Sequence, residues 1–175
     1  MNNISFQSRI RACSKSEFSR VTAGFAKKSV NYPWTVKESV IADKAYTKDV
    51  FDCTVCGITD GLNVLLMHIC PTVKENLNFK KIEKFILDKI DVNNPDLQGF
   101  LLGSVQACGL YSGELFEKFE DFMNKYRIPF SKFQGSEDYS DVAYSSTTDE
   151  WLICSPKSLK NQFRKIEISD LDEIV

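Results

Sequence analysis

Apolar residues recur along this chain with two periods, and the places where the period changes divide it into helices and strands. Ser14-Lys15-Ser16-Glu17 has the form of a capping box. Phe18, Val21 and Phe25 follow at helical spacing, so a helix is expected from there to about Lys28. Asn31-Tyr32-Pro33 breaks the pattern, and Thr35 to Ala42 alternates as a strand does. Ala45 to Asp52 shows neither period cleanly and is expected to be irregular, with at most a turn of helix. After a loop from Pro71, the residues Phe79, Ile82, Phe85, Ile86 and Ile90 mark an amphipathic helix from about Asn78 to Ile90. Leu97 to Gln106 is apolar enough for a central strand, and Gly99 and Gly103 within it point to bulges or close backbone approach. Ser112 is expected to cap a third helix carrying Leu115, Phe116, Phe119, Phe122, Met123 and Tyr126 on one face, with Pro129 just beyond its end. Phe130–Phe133, Tyr139–Ser145 and Trp151–Ser155 read as short strands, and Asp141, Asp149 and Glu150 as solvated acids of the turns. This order predicts an α+β fold, a mixed and mainly antiparallel β-sheet packed with helices as a layered sandwich. Residues 1–12 are expected to be a polar N-terminal segment, 13–156 a single α+β domain, and 157–175 a charged helix or tail.

The candidate chemistry lies in Phe51 to Pro71. Cys53–Thr59 and Leu62–Ile69 are two strand-like runs separated by Asp60-Gly61, a strong signal for a two-residue type I′ hairpin. In that register Thr59 faces Leu62 and Cys53 faces His68, the only histidine of the chain. Opposed residues on one face of an antiparallel pair have Cβ atoms about 4.5–5.5 Å apart. A thiol and an imidazole so placed suit a nucleophile and its base. Cys56 should point to the other face as a core residue.

Composition narrows the partners. The chain has 175 residues, enough for one domain with a sizeable core, and 43% of them are hydrophobic. A net charge of −2 leaves no electrostatic footprint for nucleic acid. No apolar run reaches the ~18–20 residues of a membrane span. The six cysteines are expected to be reduced thiols, because a chain this long and apolar needs no disulfide framework. Cys53-Thr54-Val55-Cys56 fits CxxC, but strand geometry sends its thiols to opposite faces, and no second pair supplies the four ligands zinc wants.

Thr47, Cys53 and His68 together resemble a known family. A Thr six positions before a Cys, with a His fifteen residues on and a Pro soon after, is similar to the protein glutamine deamidases of the CheD, cytotoxic necrotizing factor and Burkholderia lethal factor type. The segment Met67-His68-Ile69-Cys70-Pro71 resembles that around the CheD histidine. The helix, the Gly-containing strand GFLLGSVQACG and the second helix resemble the CheD order of elements. The resemblance spans about Thr35 to Ser155 by element order and is sharpest from Thr47 to Pro71. It implies that Cys53 attacks the carboxamide of a protein glutamine, His68 serves as base and then acid, and Thr47 orients the imidazole. It implies a protein substrate carrying a target glutamine, and neither metal nor organic cofactor. Transglutamination is the related outcome if an amine replaces water.

One departure stands out. The family commonly has Gly or Ser just before the cysteine, where backbone N–H groups face the oxyanion; here the segment is Val50-Phe51-Asp52-Cys53. The departure, with the polar N-terminus, suggests an effector or toxin delivered to a host cell by a specialised secretion system. The alternatives are a cytoplasmic chemoreceptor deamidase and a non-catalytic binding module on the same fold. Ser104 and Gln106 could line a pocket or simply end a strand.

Overall fold

Both faces of the central strands are apolar, and that surplus is absorbed by two sheets rather than one. A computed structural model describes residues 8–28, 40–51, 53–69, 78–103, 110–134 and 139–154, and among these are ten strands and three helices. The first sheet contains β1 (Arg9–Cys13), β2 (Ala26–Lys28), β4 (Lys44–Val50), β9 (Ser140–Ser145) and β10 (Glu150–Cys154) in the order β1-β10-β9-β4-β2. The second contains β3 (Val40–Ala42), β5 (Thr54–Thr59), β6 (Val64–Ile69), β7 (Gln98–Gly103) and β8 (Phe130–Gln134) in the order β3-β6-β5-β7-β8. Pairing is mainly antiparallel, with parallel pairs at β1/β10, β2/β4 and β7/β8. The expected α+β class holds, as a sandwich of two sheets with helices outside it.

Side-chain alternation assigns the layers. Val55, Val64, Leu66, Phe100 and Leu102 of the second sheet meet Val142, Tyr144, Trp151 and Ile153 of the first. Their neighbours in sequence point outward. Cys56, Ile58, Leu65, Met67 and Leu101 pack beneath α2 (Phe79–Leu87) and α3 (Leu110–Lys125). On the far side Ala143, Leu152 and Cys154 pack around Phe18 of α1 (Lys15–Val21). The Trp151 ring stacks on Phe100 at 4.5 Å between the sheets. Gly57 of β5 makes room for it, since a Cβ there would lie 2.1 Å from the Trp151 ring. Gly99 and Gly103 likewise give way to Met123, Phe130 and Phe116, the close approach expected of them.

Four sequence readings need correction. Arg9–Cys13, expected mostly within a polar N-terminal segment, is the edge strand β1 of the first sheet. Its polar look comes from Arg9 and Arg11, which pair with Glu150 at 3.0 and 3.1 Å, while Ile10 packs against the inter-sheet core. The first helix is shorter than expected. Ser14 does accept the Glu17 N–H at 3.2 Å, but the Thr22 hydroxyl turns onto the Phe18 carbonyl at 2.8 Å and Gly24 takes φ 88, so residues 26–28 are released to pair with β4. Lys44–Val50 is a regular strand until its last residues. Its alternation was hidden because its first two buried positions are Ala45 and Thr47, not large apolar side chains, and the bulge shifts the third, Val50, out of phase. Ser112 lies within α3 rather than at its cap. The strand start expected at Thr35, the loop 71–77, Ser104, Gln106 and the segment 157–175 lie outside the described residues.

Candidate active site

The chain crosses between the sheets at residues 51–53. It leaves the first sheet at the end of β4 and enters the second at Thr54. A β-bulge prepares the exit. β4 pairs with β9 in register through Thr47↔Val142, then shifts so that Val50 meets Ser140. Asp49 in the bulge adopts φ 59, a left-handed conformation that Asp tolerates better than most residues. Its N–H donates to the Asp141 carboxylate at 3.0 Å. Bulges commonly re-aim a strand beside a site; this one delivers Phe51 onto the Tyr139 ring, centroids 4.9 Å apart, and Cys53 into the inter-sheet core. The bulky residue ahead of Cys53 therefore has a packing partner on β9's approach.

The hairpin register differs from the expected one by two residues. Val55, not Cys53, is opposite His68, and Thr59 is opposite Val64. The loop is Asp60-Gly61-Leu62-Asn63 rather than Asp60-Gly61 alone. Side chains decide this: the Asp60 carboxylate accepts N–H bonds from Leu62 (2.9 Å) and Asn63 (2.7 Å), and the Thr59 hydroxyl donates to the Asn63 carbonyl (2.8 Å). Such Asx-type bonds compete with the two-residue turn. A slip of two preserves faces, whereas a slip of one would reverse them. His68, opposite Val55, thus still faces the inter-sheet side, and Cys53, just before β5, packs in the same inter-sheet core. Cys56 points to the helix side, fully buried, and burial pushes its thiol well above the usual range.

Thr47 and His68 meet across the sandwich. Thr47 is on β4 of the first sheet and His68 on β6 of the second, and Thr47 Oγ1 lies 2.6 Å from His68 Nδ1. Both side chains are buried, His68 with 1% of its surface exposed and Cys53 with 5%. When Nδ1–H donates to the threonine, Nε2 carries the lone pair and can act as a base. Thr47 and His68 are therefore brought together across the layer, and Cys53 lies in the same inter-sheet core.

Two further residues were missed. Asp141, read from sequence as a solvated loop acid, is buried and holds the bulge; burial raises its carboxyl above the usual range, against the Asp49 N–H that lowers it. Ser140, on the inward face of β9 opposite Val50, is 1% exposed, and its hydroxyl has no hydrogen-bond partner among the described residues. Nothing in the sequence distinguishes Ser140 from any strand serine; Asp141 at the head of an apolar run was the available signal. Asp149 and Glu150 are not solvated acids either. Asp149 accepts the hydroxyls of Ser8 (2.7 Å) and Tyr144 (3.0 Å), and Glu150 is buried between the two arginines of β1. Among the described residues no group of three His, Cys, Asp or Glu side chains is placed to hold a metal ion, and no helix is long and apolar enough to cross a membrane.

No protein-family model matches this chain, and no curated protein sequence matches it.

Proposed function

We propose that this chain is a protein glutamine deamidase, with Cys53 as nucleophile, His68 as base and acid, and Thr47 as the group that orients the imidazole. The observation that carries the reading is the 2.6 Å hydrogen bond between Thr47 and His68, made across the two sheets. It pairs the two residues that the resemblance to CheD and the necrotizing factors assigns to one site, although they are twenty-one positions apart. Cys53 on the same inward side supplies the third member.

The reaction follows from these roles. His68 Nε2 takes the Cys53 proton, and the thiolate attacks the carboxamide carbon of a glutamine on a partner protein. The tetrahedral intermediate collapses as the imidazolium protonates the leaving amine, so ammonia departs and a thioester remains. A water, deprotonated by His68, attacks the thioester; the C–S bond breaks and glutamate is released. The Ser140 hydroxyl is the donor we assign to the substrate oxygen, in place of a backbone opened by a small residue before the nucleophile. The chemistry needs no cofactor. With an amine in place of water the same thioester yields a transglutamination product. Delivery into a host cell by a specialised secretion system, and action within the producing cell on a chemoreceptor, are the two settings this activity allows.

Intact-mass analysis tests the reading. Candidate partner proteins incubated with the chain should gain about 1 Da per converted glutamine, and Cys53→Ala and His68→Ala should each abolish the gain. Because the two act as one unit, the double variant should be little worse than either single one. Full conversion by Cys53→Ala would remove the nucleophile assignment.

The burial of Cys53 and His68 favours a second reading, a binding module that retains the fold without the chemistry. Thiol alkylation separates the two. A catalytic Cys53 reacts with iodoacetamide faster than the other cysteines, and His68→Ala slows it; an inert Cys53 supports the binding module.

A further inference from the structure

Outside the candidate site, two thiols face one another at the edge of the first sheet. Cys13 ends β1 and Cys154 ends β10, and the parallel register makes them direct partners. Both lie on the outer face, beside Phe18 of α1. The two thiols are close enough for each to influence the protonation of the other. Neighbouring strands run about 4.7–4.9 Å apart, inside the ~4.4–6.8 Å range of Cα separations that a disulfide accepts. Partners in register also point their Cβ atoms to the same side, as the bond requires.

We propose that Cys13 and Cys154 are a disulfide-forming site, which a small-molecule disulfide such as oxidised glutathione converts into an intrachain bond between β1 and β10. The inference is independent of the deamidase reading. Cys13 is half-buried and reacts first; Cys154, 3% exposed, is the resolving thiol. The Cys13 thiolate attacks the reagent, breaking its S–S bond and expelling one glutathione thiolate, which is protonated. Cys154, as thiolate, then attacks the Cys13 sulfur and expels the second glutathione. Two protons and two electrons leave the protein, and the reagent is reduced to two thiols.

Burial, the first cause for each, raises both thiols, Cys13 to about 12. Little thiolate exists at neutral pH, so closure is slow and the dithiol persists in a reducing cytosol. In an oxidising space the bond would tie the edge strand β1 to the strand beside it and close a ring around nearly the whole domain. Such long rings constrain the unfolded chain most.

The experiment uses the full chain, exchanged into an oxidised glutathione buffer until the mass is constant. The expected result is a loss of about 2 Da, a Cys13–Cys154 linked peptide on digestion, and a Tm higher by roughly 5–10 °C. Cys13→Ser, a conservative change at a half-buried position, should fold as the parent does and lose the linked peptide and the oxidant's effect on Tm. Cys53→Ala should form the bond as the parent does, so failure of the deamidase reading leaves this result untouched. A stable glutathione adduct on Cys13, a bond to any other cysteine, or an unchanged mass overturns the proposal.

Discussion

Removing one hydroxyl from this site has opposite consequences at two positions. Thr47 is bonded to His68, so Thr47→Val removes a buried hydrogen bond and should cost roughly 1–3 kcal/mol. It should also lower kcat by about 10–100-fold through loss of imidazole orientation, within the range that general acid–base catalysis supplies. Thr47→Ser, which restores the hydroxyl, should recover most of both; urea titration and the mass assay give the two readouts. Ser140 has no partner among the described residues, so Ser140→Ala should hold or raise stability, by up to about 1 kcal/mol. It should nonetheless reduce kcat by about 10–100-fold, less than loss of a full oxyanion donor. A variant at Ser140 that is more stable and as fast as the parent would strip it of any role toward substrate. Gly57 is a packing counterpart. A methyl there meets the Trp151 ring at 2.1 Å, and that ring is backed by Phe100 and Tyr144, so Gly57→Ala should destabilise by about 1–3 kcal/mol or more.

Elements differ in how far their sequence announces them. The α2 stripe of Ile82, Phe85 and Ile86 was legible because helical periodicity carries large apolar side chains, and β7, β8, β9 and β10 because their apolar runs end at turn residues. The faces of Cys53, His68 and Cys56 were legible too, since the period of a strand survives any even slip of register. The register itself was not, because the Asp60 and Thr59 side chains chose a longer loop. β1 and β4 were hidden for a common reason: their inward residues are few or small, and polar residues such as Arg9 and Thr47 find partners in strands distant in sequence. The bulge at Asp49 belongs to this group, since its stabiliser, Asp141, lies ninety-two residues away. Asp141→Ala should remove the acceptor of the Asp49 N–H, lower stability by about 1–3 kcal/mol and displace the approach to Cys53, with a fall in kcat. Asp141→Asn keeps an acceptor oxygen and should behave near the parent in both thermal melts and turnover. Equal loss in both variants would show that charge, not the acceptor, holds the bulge.

Across the whole molecule, alkaline stability depends on the buried core between the sheets. Burial, aided by its hydrogen bond to Asp149, raises the Tyr144 phenol from 10.0 to about 12. The fold therefore favours the neutral phenol. Its contribution is complete below pH 10, where the unfolded chain also stays neutral, and is lost as pH rises toward about 12. Tyr144→Phe should flatten the fall of the urea midpoint between those values relative to the parent; parallel curves would exclude Tyr144 as the source. The order of strands has a different consequence. β3 belongs to the second sheet, β4 to the first and β5 to the second again, with Asp43 alone between β3 and β4 and residues 51–53 between β4 and β5. β4 is thus a stitch passed through the sandwich and fastened at both ends. The two sheets are thereby joined covalently on both sides of β4, one residue before it and three after it. Refolding should then regain far-UV signal before the proposed deamidase activity, since Thr47 of one sheet reaches His68 of the other only when the stitch is drawn tight, and that activity would be silent in every partly assembled form.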